Sequence, residues 1–236
     1  MQIRFPLLLA LAVATSIETG RGADSFFPLM AWNWAPSDAA TFERMRDCGL
    51  TVAGFVSPKE LDLCHAAGLK AIVSDQRVSG YDWRKVDAGV ARTKVAALIA
   101  ETGSHPAVYG YYLRDEPGAE AFPGLATVAS IVKELAPGKW PYINLFPNYA
   151  SAAQLGTATY EEHLEKFVAT CRPTHLSYDH YALMEDGSLR AGYFLNLEQM
   201  RQAAKKHGLP FWNIVLSVAH FNYREATPAD QRFQVY

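Results

Sequence analysis

Three short segments repeat one arrangement. Cys48-Gly49-Leu50-Thr51-Val52, Ala67-Gly68-Leu69-Lys70-Ala71 and His207-Gly208-Leu209-Pro210-Phe211 each set a helix end, a glycine and the apolar opening of a strand in succession. A glycine just past a helix takes up the left-handed turn that ends it. Recurrence of the whole unit confines the chain to repeated βα units around a parallel sheet.

From Phe27 onward, apolar runs rich in aromatic and β-branched residues predict strands at 27–34, 51–57, 70–75, 107–113, 141–146, 175–181 and 211–219. Helical periodicity predicts helices at about 37–48, 58–67, 83–102, 121–136, 160–170 and 194–207. Ser37 before Asp38 offers an N-cap, Pro58 suits a first helical turn, and Thr227-Pro228-Ala229-Asp230 reads as a capping box opening one more helix. The expected fold is therefore α/β: a (β/α)8 TIM barrel, C-terminally truncated after about seven βα units, since a whole barrel takes about 250 residues. An open doubly wound sheet would carry a glycine-rich phosphate loop after its first strand, and Trp32-Asn33-Trp34-Ala35-Pro36-Ser37-Asp38 has none.

The first 22 residues combine a basic Arg4, an apolar run from Phe5 to Val13 and small residues near Gly20 and Gly22. That pattern predicts a signal peptide and a secreted or periplasmic protein, leaving 23–236 as a single barrel domain. No later run reaches the roughly 18 apolar residues of a membrane span. With 22 basic and 24 acidic residues scattered along the chain, neither nucleic acid nor a membrane surface is an expected partner. Cys48, Cys64 and Cys171 are too few for a disulfide framework and are expected as buried thiols, although a Cys48–Cys64 bridge is open to an exported chain.

In a barrel of this kind the chemistry sits at the C-terminal ends of the strands. The fourth predicted strand ends in Arg114-Asp115-Glu116-Pro117. Glu116 or Glu120 would serve to cap the following helix, but one cap suffices, and two adjacent carboxylates beside an arginine call for a further use. Other strand ends supply Asp179, Asn144 and the aromatic residues Trp32, Trp34, Tyr178 and Tyr181, with His220 after the last strand. Aromatic faces of this kind stack on sugar rings, and core packing is their plainer use.

The stretch HPAVYGYYLRDEPG (105–118) resembles the fourth-strand signature of the clan A (β/α)-barrel glycoside hydrolases, in which a short apolar strand ends in Asn-Glu-Pro. The resemblance implies a carbohydrate substrate, Glu116 as general acid/base, and Asp115 in place of the usual asparagine. Arg114, Trp32, Trp34, Asn144, Tyr178, Tyr181 and His220 are the expected substrate-binding residues. The clan's second carboxylate, a Glu at the end of the seventh strand, has no counterpart in 211–225, where Ser217 and His220 stand and Glu225 comes late. Asp179 is the expected partner, ahead of Glu225. Two alternatives stay open: a substrate-assisted hydrolase of N-acetylated sugars that uses the Asp115–Glu116 pair, and a carbohydrate-binding barrel without catalysis. No cofactor or metal is called for, because the first strand lacks an HxH and no CxxC occurs. A serine hydrolase would need a GxSxG elbow, also missing.

Overall fold

The computed structural model describes residues 26–235. The predicted signal peptide lies outside them. Six strands follow one another in space as in sequence: β1 (Val52–Val56), β2 (Lys70–Val73), β3 (Val108–Asp115), β4 (Trp140–Asn144), β5 (Leu176–Asp179) and β6 (Phe211–Ile214). All pairings are parallel, β1-β2-β3-β4 in one sheet and β5-β6 in another. A single bridge between Leu145 and Tyr178, with Leu145 N–H donating to Ser177 C=O at 2.8 Å, joins the two sheets.

Helices α1 (Ala39–Asp47), α2 (Leu61–Ala66), α3 (Gln76–Ser79), α4 (Ala88–Thr102), α5 (Phe122–Leu135), α6 (Ala152–Leu155), α7 (Tyr160–Cys171), α8 (Tyr193–His207) and α9 (Pro228–Val235) fill the connections. Gly49, Gly68 and Gly208 end α1, α2 and α8 with φ of 88°, 78° and 64°, the left-handed turn that the repeated segments imply. The cap of α1 is Asp38 rather than Ser37, and it accepts from Thr41 N–H at 2.8 Å. Thr227 and Asp230 make the expected reciprocal capping box.

Strand alternation sorts side chains to two sides of the wall. Outward residues such as Tyr111, Leu113, Ile143, Leu176 and Tyr178 pack with α4, α5 and α7 residues, including Leu98, Leu125, Val128 and Phe167, in the main core. Inward residues form a smaller aromatic interior of Trp32, Phe55, Tyr109, Tyr112, Tyr142 and Trp212. Tyr109 of β3 and Trp212 of β6 stack there at 6.3 Å, although two strands separate theirs, so the wall curls strongly inward.

Two expectations change. The run at 27–34 is not a strand: it keeps one bridge, Met30 to Val52, because Pro28 lacks a donor and Asn33 turns left-handed at φ 80°. The last strand stops at Ile214, and 215–219 leave the sheet. Among the described residues no strand pairs β6 with the segment near Met30, so no closed barrel forms. Cys48, Cys64 and Cys171 are all free, and Cys48 is exposed instead of buried. No helix of the described residues is long and apolar enough to cross a membrane.

Candidate active site

The end of β3 breaks the alternation of its strand. Tyr112 pairs with Tyr142, but the next partners are Arg114 with Ile143 and Asp115 with Asn144, so β3 carries one residue more than β4 over the same distance. A bulge of this kind re-aims the residues after it. Asp115 would otherwise follow Tyr111 and Leu113 toward the helices; here it meets the inward side chain of Asn144. Glu116 then leaves the strand at φ 42°, its N–H donating to Asn144 C=O at 2.9 Å, and Pro117 ends the run.

Asn144 is the hub. Its Nδ2 donates to Asp115 Oδ1 at 3.0 Å and to Asp179 Oδ1 at 2.7 Å. Its Oδ1 accepts from Ser177 Oγ at 2.8 Å, and Ser177 Oγ lies 2.8 Å from the Tyr142 hydroxyl. With both amide hydrogens committed to carboxylates, Asn144 orients Asp115 and Asp179 and keeps no amide hydrogen for a ligand. Ser177 and Tyr142 escaped the sequence reading. The signal was there, since Ser177 stands two residues before Asp179 and so on the same face of β5.

Burial raises all three acids. Glu116 is pushed up to about 7 by desolvation and then by the neighbouring Asp115 charge. Asp179 is pushed up to about 7 by desolvation, then by Glu116 and Asp115, against the Asn144 bond. Asp115 rises through desolvation, opposed by Asn144, Arg114 and the Glu116 N–H. Glu116 accepts no side-chain hydrogen bond among the described residues, whereas Asp115 and Asp179 each accept one from Asn144. A proton shared by the set therefore rests first on Glu116.

Tyrosines wall the acids. Tyr181 stands two residues after Asp179, and burial, followed by the charges of Asp179, Asp115 and Glu116, raises its phenol. Tyr112, packed on Phe55 at 4.2 Å, is pushed up to about 12 by burial and then by Asp115. His220 lies edge-on to Tyr181 at 5.0 Å, within an aromatic group on the rim that includes Tyr223.

The other expected binding residues fall elsewhere. Tyr178 is fully buried in the helix-side core, because it alternates with Ser177 and Asp179, and it meets no cleft. Trp32 is half-buried against Phe55 in the interior, 4.9 Å between rings. Trp34 stands in solvent, 73% exposed. Arg114 is exposed and makes no ion pair among the described residues, though its charge offsets that of Asp115. Glu225 is exposed and takes no part in the acid cluster. His175 is stacked on Trp140 and Tyr142 deep in the interior, where burial drives it down to about 3, so it stays neutral.

No protein-family model matches the chain, and no curated protein sequence matches it. Solved structures do. The chain is similar to the endo-1,4-beta-D-mannanase of Thermotoga petrophila RKU-1, with a TM-score of 0.56 and 12% identity over 89% of this chain and 84% of that one. A GH18 chitinase from Pseudoalteromonas aurantia gives 0.54 and 10% identity, covering 79% of each chain. The beta-galactosidase of the psychrophilic Marinomonas ef1 gives 0.57 and 12% identity over 88% of this chain, which spans 51% of that larger enzyme. These are TIM-barrel glycoside hydrolases. The likeness is one of fold: an α/β architecture of parallel strands.

Proposed function

We propose that the protein is an exported glycoside hydrolase that cleaves O-glycosidic bonds of an oligo- or polysaccharide, with Glu116 as proton donor and Asp179 as its carboxylate partner. One observation carries this reading: Asp115 and Asp179, at the ends of β3 and β5, converge on the single amide of Asn144, whose backbone C=O holds the N–H of Glu116. Two carboxyl groups with different environments are what acid/base cleavage of a glycoside uses. Glu116, half-buried and without a hydrogen bond to hold its anion, keeps a proton near neutrality and can pass it to a leaving oxygen. Asp179 accepts the short Asn144 bond that favours its ionised form, which suits a base or nucleophile. Asp115 steers Asn144 and keeps Glu116 protonated by its charge. Tyr181 and the inward aromatics offer faces for sugar rings.

Glu116→Gln is the direct test. The variant should fold normally and release no reducing ends from glycans that the wild type degrades; normal turnover would end the proposal. A wild type that binds glycans and never cleaves them would instead identify a carbohydrate-binding protein.

A further inference from the structure

The rim beside the acids carries an uncompensated cation. Arg190 is half-buried, with its guanidinium 4.3 Å from the Tyr149 ring centre and 5.6 Å from that of Tyr223. One Nη donates to the Tyr223 hydroxyl at 3.2 Å, while its Nε is buried without a partner, and no carboxylate pairs with it among the described residues. A guanidinium withdrawn from water without a counter-ion is costly. Its position is nevertheless fixed. Arg190 N–H donates to Ala182 C=O at 2.7 Å, a Leu183–Leu189 bridge closes the loop behind it, and a Met184–Tyr223 bridge ties that loop to the one after β6.

Two independent features beside Arg190 point to a ligand, and the first of them favours negative charge. Helix α8 begins three residues later, at Tyr193, after Gly192 (φ 86°), which supplies no side-chain cap, and the first turn holds no acidic residue. The N–H groups of Tyr193, Phe194 and Leu195 thus meet no acceptor among the described residues, and the positive end of the helix dipole is unopposed. His180 lies fully buried against Tyr149, within 3.9 Å of where a Cβ on Gly192 would stand; its Nδ1–H donates to Asn196 Oδ1 at 3.1 Å, which leaves Nε2 an acceptor without a partner, suited to a hydroxyl of the same ligand. Tyr223 bridges the two territories: it accepts from Arg190 and packs on Tyr181 at 5.3 Å, and Tyr181 stands two residues after Asp179.

From this juxtaposition we infer that Arg190 and the start of α8 form an anion subsite next to the acid cluster, and that the ligand is an acidic glycan bearing a carboxylate or a sulfate. The inference rests on the glycan-cleaving reading of the acid cluster. Guanidinium and helix N–H groups suit either anion, so a uronate and a sulfated sugar share the recognition chemistry.

The test is an arrayed library of neutral, uronate-bearing and sulfated oligosaccharides, followed by titration of the hits with the full chain. Hits should be acidic, and their uronate or sulfate class names the source of the anion. Their affinity should exceed that of the matched neutral glycan by about tenfold and shrink as salt rises. In Arg190→Met the ratio of acidic to neutral affinity should fall to about one, with Arg190→Lys in between. Hits that are all neutral, an empty library, a ratio that survives Arg190→Met, or equal loss of both ligands in that variant would overturn it. The wild-type salt titration decides the matter even if the Met variant fails to fold. Hydrolysis abolished by Glu116→Gln together with equal affinity for neutral and acidic glycans would sink this inference alone, whereas Glu116→Gln at full activity sinks the reading beneath it.

Discussion

Nδ2 of Asn144 on β4 stands 2.7 Å from Oδ1 of Asp179 on β5. This bond gives Asp179 the more anion-friendly setting of the two acids that burial raises to about 7, and it separates a base from the unsupported Glu116. The pH dependence of activity follows. In the proposed acid/base roles Glu116 must hold a proton and Asp179 must have lost one, so hydrolysis should rise and fall in a narrow bell centred near neutrality. A pH–kcat/KM profile flat from 5 to 9, on the order of four units, would contradict the assignment.

The same elevation has a cost in stability. Between its ordinary value of 4.5 and about 7, Glu116 keeps a proton in the folded chain that the unfolded chain has released. Stability therefore falls as pH rises across that window, and the loss is complete above it. Glu116→Gln removes this titration and the charge that raises Asp179. After allowance for solvent around a half-buried group, the variant should gain about 1 kcal/mol at pH 8, or about 2–4 °C in Tm, and little at pH 4. Thermal unfolding at the two pH values checks the difference.

Asn144→Ala would strip one hydrogen bond from Asp115 and one from Asp179 and leave the Ser177 hydroxyl without its acceptor. The loss should be about 1–3 kcal/mol of stability. Activity should drop more than stability accounts for, and the acidic limb of the pH profile should move upward as Asp179 becomes harder to ionise. An unshifted acidic limb would mean that Asn144 does not set the protonation of Asp179.

Behind Asn144, the hydroxyls of Ser177 and Tyr142 make a closed chain in a dry interior. Ser177→Ala leaves both Tyr142 and Asn144 with unmet groups, about 1–3 kcal/mol, whereas Tyr142→Phe removes only the outermost link. In the double variant the costs should not add, with a coupling of about 0.5–3 kcal/mol measurable by urea unfolding. Additive losses would show the two hydroxyls to be independent.

Much of this architecture was legible in residue order. Period and punctuation located β2 and β3 to within two or three residues, because glycines after helices and alternation within strands are local matters. The run at 27–34 misled because aromatic content imitates a strand, while a continuous ladder with a neighbour makes one; this segment keeps a single bridge, to Val52. Asp115, Glu116, Asp179 and Asn144 were recognisable as strand-end polar residues, but which of them touch depends on a bulge no periodicity announces. Tyr178 failed for the complementary reason, since strand ends alternate too, and Asp179 beside it takes the inward direction. Arg190 gave no signal at all: it lies in a loop far from any motif, and tertiary pairing alone brings it to Tyr149.

The wall holding these groups is spliced. Glu116 leaves from a four-stranded sheet and Asp179 from a two-stranded one, and among the described residues the backbone ladder between the two sheets is the one bridge from Leu145 to Tyr178, with the side-chain bonds of Asn144 and Ser177 beside it. The separation of the two acids is thus governed by a joint rather than by a continuous ladder. Stiffness along that line, and whatever a bound molecule adds to it by spanning both sides, sets how accurately the pair is gauged.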